Sequence, residues 1–399
     1  MTPLDRRPTI LHLCEHFGGK SAGLHGVAKL FQWWLPGYDA DRFRVLVCSR
    51  KGRDRAARLF EESGMQPLYL GGGKVDPRNL PRLLRLLRRE QVDLIHAHGY
   101  GACTWARLAQ RRTGIPVLVH EHCNYGSVPL YQRPVERFFG PSTLHCFAVS
   151  QSTRTFCLQQ RFMPPDRVEV LYTGLPRGNR PQPDPDASAR VRSDLGAGPE
   201  DLVAGIVSRL ESHKGHLDAL AALDQVRDSL PHLHLWIVGD GAYEAEIRAA
   251  IEERDLGDRV RMTGFRSDIP AILGAVDLQV FPSHMEGTPT AMLEAMAFGQ
   301  AIVATTADGQ GEILEDGRTA LLCAPGDRDR LAAHLRCLGE DTQLRARLAR
   351  EAEVRARDFE GERSIRRMEE VYAAVLAGDR GPFPGGPYAS ASGEAASLP

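Results

Sequence analysis

The sequence predicts an α/β protein built from two doubly wound domains. Three observations carry that prediction. Short apolar runs alternate with helical patterns from start to finish, the runs are apolar throughout, and a Pro- and Gly-rich break divides two halves of similar size. Strands buried on both faces read as continuous apolar runs, and parallel strands need helical crossovers between them. At 399 residues the chain exceeds what one ordinary core supports, which agrees with the division.

In the first half the strand-like runs are residues 9–13, 43–48, 67–70, 92–96, 117–120 and 144–149. Helical patterns at 24–35, 53–63, 80–90, 104–112 and 151–161 lie between them. In the second half the runs are 202–207, 233–238, 259–262, 278–281, 301–304 and 320–323, again separated by helices. Residues 176–200 open with Pro-Arg-Gly-Asn-Arg-Pro-Gln-Pro-Asp-Pro, continue as a short polar helix and close near Gly-Ala-Gly-Pro, a linker composition. The expected organisation is therefore a first domain at 1–175, a linker at 176–200 and a second domain at 201–355. A terminal helix within 356–377 is expected to pack back on the first domain. The Gly-, Pro-, Ala- and Ser-rich segment 378–399 reads as a disordered tail.

Composition excludes several functions. A formal net charge of −1 removes the whole-protein electrostatic case for nucleic-acid binding. The eight cysteines contain no CxxC and sit in apolar segments, so they read as buried free thiols of a reducing cytoplasm. The first eight residues do not read as a secretory signal. No run approaches the roughly 18 apolar residues of a membrane span. The expected location is cytoplasmic, with peripheral contact at the inner membrane face as an option for the first domain. The segment 79–90 motivates that option, because it is a basic amphipathic helix. The simpler reading puts its leucines on the sheet and its arginines in water.

The most informative stretch runs from Phe281 through Glu286, Gly287, Thr288, Pro289, Thr290 and Glu294 to Gly299. A strand ends at Phe281 and a glycine-containing loop follows. Thr288 suits an N-cap and Pro289 the first helical position, while Gly299 suits the helix end. A helix N-terminus at the carboxyl end of a parallel strand offers free N–H groups to an anion such as a diphosphate. Glu286 and Glu294 should lie roughly 10 Å or more apart. Retaining glycosidases need about 5 Å between their carboxylates, so two contacts along an extended ligand fit better. The bland alternative is a loop acid and an ordinary helical acid.

The second feature is Ser208-Arg209-Leu210-Glu211-Ser212-His213-Lys214-Gly215, after the first strand of the second half. Lys214 stands out because the other lysines, Lys20, Lys29, Lys51 and Lys74, all lie in the first 74 residues. Arg209 and Lys214, with a helix N-terminus, could neutralise a leaving diphosphate without a metal. The alternative is a solvated loop. Weaker signals are Gly239-Asp240-Gly241, which lacks a full GxGxxG, and the loop 18–23, which lacks Walker spacing. His120 and His122 have ligand-like spacing, but the sequence offers no evident third ligand. His96 and His98 are similar and read as structural.

Together these motifs resemble the family 4 glycosyltransferases. The "RL…KG" element reads here as Arg209-Leu210…Lys214-Gly215, and the glutamate pair as Glu286 and Glu294. Val238-Gly-Asp-Gly, Thr263-Gly-Phe, Leu293-Glu-Ala-Met-Ala-Phe-Gly, Glu312-Ile-Leu-Glu-Asp-Gly317, Ile95-His-Ala-His and Val119-His-Glu-His122 also fit. The resemblance covers most of residues 9–340. It implies the GT-B fold, two facing Rossmann-like domains with mostly parallel sheets and a cleft between them.

By position the resemblance implies that Arg209 and Lys214 bind the donor diphosphate, Glu294 the ribose and Glu286 the transferred sugar. His122 should sit near the reacting sugar. Gly19 and Gly23, in a glycine loop of looser alignment, should approach the phosphates or the acceptor. Gly287, Thr288, Pro289 and Thr290 complete the donor-binding set. Where the family often carries Gly-Gly, this chain has Asp308-Gly309-Gln310-Gly311, which should alter sugar contacts. The implied activity is retaining, metal-independent hexosyl transfer from a UDP- or GDP-sugar to a glycan or lipid-linked acceptor, in cell-surface polysaccharide or glycolipid synthesis. No cofactor is expected. The competing readings are a catalytically silent GT-B sugar-binding subunit and a nucleotide-sugar epimerase.

Overall fold

The structure, a computed structural model, describes residues 6–18, 24–383 and 386. The chain divides into two compact units, one of Met1–Pro176 with Gly361–Pro399 and the other of Arg177–Glu360. The first unit contains β1 (Thr9–Cys14), β2 (Arg44–Ser49), β3 (Leu68–Tyr69), β4 (Val92–His98), β5 (Val117–Glu121), β6 (Cys146–Ala148) and β7 (Val168–Val170). They form one sheet in the order β3-β2-β1-β4-β5-β6-β7, with every pair parallel.

The second unit contains β8 (Leu202–Val207), β9 (Leu233–Val238), β10 (Val260–Gly264), β11 (Leu278–Phe281), β12 (Ala301–Thr305) and β13 (Leu321–Cys323). Their order is β10-β9-β8-β11-β12-β13, again parallel. Each sheet is thus doubly wound, with its order reversing at the central pair, β1/β4 in one and β8/β11 in the other. Every apolar run read as a strand lies on one. β7 escaped because it is three residues long and follows Pro164-Pro165 at the sheet edge.

Helices cover both faces. Leu83, Leu86 and Leu87 of the helix Asn79–Arg89 are buried in the core against Ile95 and Ala97, and its terminal Arg88 and Arg89 are exposed. In the second unit Trp236 is fully buried beside Val203, Ile272 and Val191. Val191 lies on a helix, Pro185–Asp194, inside the stretch read as linker. Pro185 occupies its first turn and the Asp184 side chain accepts from the Ala187 amide at 2.9 Å. The proline-rich composition there reflects a helix start as well as a connection, and the helix is a layer of the second unit.

The chain leaves the second unit at Glu360. The following helix, Gly361–Leu376, belongs to the first unit and buries Ile365, Met368, Val371, Tyr372 and Val375. Ser364 Oγ donates to Tyr172 O at 2.7 Å, and Arg367 pairs with Glu169 at 2.8 Å. The tail reading needs correction at its start: Phe383 is buried, and its carbonyl accepts from Arg367 Nη2 at 2.6 Å. Apart from Gly386, the rest of that segment lies outside the described residues. All eight cysteines are free thiols, but Cys337 is exposed and Cys123 only partly buried. No helix among the described residues is long and apolar enough to cross a membrane.

Candidate active site

Two loops at the carboxyl ends of β8 and β11 meet at the switch point of the second sheet, where doubly wound sheets place ligands. Their approach depends on glycine. Gly215 has φ 72°, and a Cβ there would stand 1.8 Å from Pro282 O. A Cβ on Gly239, at φ 145°, would stand 1.9 Å from Ser208 O. Side chains at these points would force the loops apart.

Across the contact, Lys214 Nζ donates to Glu286 Oε1 in a close ion pair, with both side chains largely buried. Ser283 Oγ donates to the same carboxylate oxygen at 3.2 Å. Arg209 pairs with Glu211 on its own loop and is more exposed. The two sequence-selected cations therefore lie on one loop, and one of them is joined to one of the two selected carboxylates. His216 extends the cluster: its Nε2 lies 3.1 Å from Ser208 Oγ. Burial, with Lys214 and His213 nearby, lowers its pKa to about 4, so it is a neutral hydrogen-bonding group near pH 7.

The helix that follows runs Thr290–Phe298 and ends at Gly299, which is left-handed at φ 77°. It starts one residue later than expected. Pro289 is its N-cap and makes no side-chain cap bond, whereas Thr288 precedes the cap. The first-turn amides from Thr290 onward keep their donors free of intrahelical partners. Gly287 and Pro289 are buried and Thr288 and Thr290 partly so. Glu294 lies inside this helix and is buried.

Three supports of the Glu286 loop were not selected from the sequence. Asp308 Oδ2 accepts the Glu286 amide at 3.0 Å. Asp308 does so from φ 44°, a conformation that favours glycine, so the contact holds a strained residue. Asp218, nearly fully buried, binds His284 Nε2 at 2.6 Å and Arg328 Nε at 2.6 Å, tying the loop to two helices. Thr305 Oγ1 donates to Ser283 O at 2.6 Å. None of these carries a motif. Asp308 alone had a signal, an acid where glycine is frequent.

His122 lies in the first unit, one residue after β5, and is partly buried. His12, His96, His98, His120 and His122 come from β1, β4 and the end of β5. Strand register pairs His12 with His96 and His98 with His120. The third imidazole missing from the sequence reading is therefore supplied by a neighbouring strand. Among the described residues, two triads, His12/His96/His98 and His98/His120/His122, bring nitrogens within 4.8 Å of one another. Burial lowers the pKa of His12 and His122 to about 3, so both rings are neutral near pH 7.

Beneath this row, Arg161 pairs with Glu121 and, at 3.0 Å, with Glu136, and Arg107 reaches Glu136 at 3.1 Å. These four buried charges brace the strand end that carries His122. Gly19 and Gly23 lie outside the described residues.

Residues 26–177 match the family model described as "Glycosyltransferase Family 4" and residues 188–355 the one described as "Glycosyl transferases group 1". The chain is 26% identical over 264 residues to the UDP-Gal:alpha-D-GlcNAc-diphosphoundecaprenol alpha-1,3-galactosyltransferase of Escherichia coli, covering 64% of this chain and 68% of that one. It is 27% identical over 316 residues to the putative glycosyltransferase EpsD of Bacillus subtilis, covering 75% and 82%. Among solved structures, Anabaena HepE in complex with UDP and glucose superposes with a TM-score of 0.79 at 24% identity. That match covers 92% of this chain and 99% of HepE. The chain belongs to the family 4 glycosyltransferases and has the GT-B fold.

Proposed function

We propose that this enzyme transfers a hexose, with retention and without a metal, from a UDP-sugar to a glycan or lipid-linked acceptor of cell-surface polysaccharide or glycolipid synthesis. The Lys214–Glu286 pair carries the reading, because it joins a cation and a carboxylate across the central strands of the second sheet. UDP is favoured over GDP by the likeness to a UDP-Gal-dependent transferase and to HepE in complex with UDP and glucose. The E. coli relative's diphosphoundecaprenol acceptor favours a lipid-linked acceptor, met by a protein working at the inner membrane face.

In this reading a donor diphosphate takes over Lys214 and Arg209 from their carboxylate partners. Amides at the start of the helix Thr290–Phe298 add donors to the same anion. Glu286, released, accepts from hydroxyls of the transferred sugar, while Glu294 accepts from the ribose. Gly287, Thr288, Pro289 and Thr290 line the approach, and His122 contacts the sugar. The anomeric C–O bond loosens into an oxocarbenium-like state. The acceptor hydroxyl attacks from the face the phosphate leaves, and its proton passes to the departing phosphate oxygen. The bond formed and the bond broken share one face, so configuration is kept.

The test is a thermal-shift and turnover series with UDP-glucose, UDP-galactose and GDP-mannose, with EDTA present. A bound donor at about 100 times its Kd should add roughly 2.7 kcal/mol of stability. Lys214→Ala should abolish that gain for the productive donor. Equal stabilisation of parent and variant would refute the assignment. Loss of turnover in EDTA, restored by a divalent ion, would refute metal independence.

A further inference from the structure

The histidine row of the first unit contains more order than a packed core requires. Tyr372 OH lies 3.3 Å from His12 Nε2, His12 Nδ1 lies 2.9 Å from His98 Nε2, and His98 Nδ1 lies 2.9 Å from His122 Nε2. Each neutral imidazole has one N–H and one lone pair. The chain therefore has a single direction: fixing the proton at one end fixes every ring to the other.

The Tyr372 end sets that direction. His96 Nδ1 lies 2.5 Å from Tyr372 OH, while its Nε2 is buried without a partner. A buried orphan N–H is rarer and costlier than a buried orphan lone pair. His96 accordingly carries its proton on Nδ1 and donates to the Tyr372 oxygen. Tyr38 OH, 3.2 Å from Tyr372 OH and 3.4 Å from Met368 Sδ, finds its better acceptor in the phenol oxygen. Tyr372 is left to donate to His12, the stronger acceptor remaining. His12 then donates to His98, and His98 to His122 Nε2.

We infer that Tyr372, His12 and His98 form a hydrogen-bonded relay that locks His122 as the Nδ1–H tautomer, so that His122 meets a bound sugar as a hydrogen-bond donor and not as a base. Tyr372, His12 and His98 are positioning residues. The tautomer stands on the geometry alone, whereas the contact with sugar rests on the transferase reading above.

A metal centre is the competing use of these imidazoles. The stacking opposes it: His120 and His122 lie 4.3 Å apart at 11°, and His98 and His122 5.2 Å apart at 24°. Lone pairs lie in the ring plane, so nearly parallel rings do not converge on one ion. Both His98 nitrogens are also engaged by neighbouring rings.

Long-range 1H–15N spectra of the full chain labelled at histidine read the tautomer directly, with the His122 signal identified by its loss in His122→Gln. The expected result is Nδ1–H at His122 in the parent, and a mixture of tautomers in Tyr372→Phe with its melting temperature held. If Tyr372→Phe fails to fold, His12→Gln provides the same break. An Nε2–H tautomer in the parent would overturn the inference. So would a tautomer unmoved in both variants, or one equivalent of zinc perturbing the His12, His98 and His122 signals together.

With UDP-glucose or UDP-galactose, whichever turns over, Tyr372→Phe should lower kcat about tenfold with KM within twofold. His122→Asn, which can still present an N–H, should retain more activity than His122→Ala. A parent that turns over no nucleotide-sugar would sink the transferase reading and leave the tautomer result standing.

Discussion

The two sheets share one winding order and differ in what they carry at their carboxyl ends. The first presents a row of uncharged imidazoles over a buried arginine–glutamate network. The second presents a lysine and an arginine paired with carboxylates on loops pinned by glycine contacts. One topology thus supplies a place for ligands twice, and the side chains decide which half neutralises charge. The lesson is that the switch point predicts location, while chemistry must be read from the residues.

The sharpest way to break the comparison is to disturb the buried charges of the first unit. Arg161→Met leaves Glu121 without an ion-pair partner and Glu136 with Arg107 alone, and should cost about 3–5 kcal/mol of stability in urea unfolding. A loss under 1 kcal/mol would mean the network does not brace the strand end. In the second unit, Lys214→Ala should lower turnover by two to three orders of magnitude, about 3–4 kcal/mol of barrier. Its circular dichroism and urea midpoint should stay close to the parent's, which separates lost chemistry from lost fold.

A smaller effect is expected at Asp308. Replacement by glycine relieves a backbone conformation costing about 1–3 kcal/mol. It also removes a hydrogen bond worth about 0.5–1.5 kcal/mol. Stability should hold or rise by about 1 kcal/mol while turnover falls, because the Glu286 amide loses its anchor. A clear drop in the unfolding midpoint would contradict the strain argument.

The last prediction concerns acid. Burial lowers the folded pKa of His12 and of His122 from the ordinary imidazole value of 6.5 to about 3, so the unfolded chain binds more protons between those limits. Their contribution is complete above pH 6.5 and is lost as pH falls toward 3. His96, His98 and His120 shift the same way through burial and mutual repulsion. In hydrogen exchange followed by mass spectrometry, first-unit peptides should lose protection before second-unit peptides as pH drops from 7 to 4. Simultaneous loss would show that the imidazole row does not set acid stability.

Much of this was legible in the sequence, for identifiable reasons. A buried parallel strand must be apolar along its length, so runs such as 278–281 declared themselves. Arg209, Lys214 and Glu286 were legible because charged residues stand where apolar runs end. The imidazole row was only half legible. The i, i+2 spacing of His96/His98 and His120/His122 placed each pair on one face of its strand, but the addition of His12 and Tyr372 depends on strand order and on a helix from the other end of the chain. The role of Asp308 was hidden because a positive φ is a property of the backbone. The helix Pro185–Asp194 was legible as a short polar helix, but its place as a layer of the second unit was not, because Val191 in the core is a single apolar anchor in a polar, proline-flanked stretch.

The return of the chain to its first unit at Gly361 has a consequence for biosynthesis. The second unit is one uninterrupted segment and can fold as soon as it clears the ribosome. The first unit begins earlier yet must wait for residues 361–376 before Tyr372 reaches His12 and His96. Until then those imidazoles lack their lid, so a nascent chain stalled before residue 361 should carry a finished second unit and an unfinished first, open to chaperone capture.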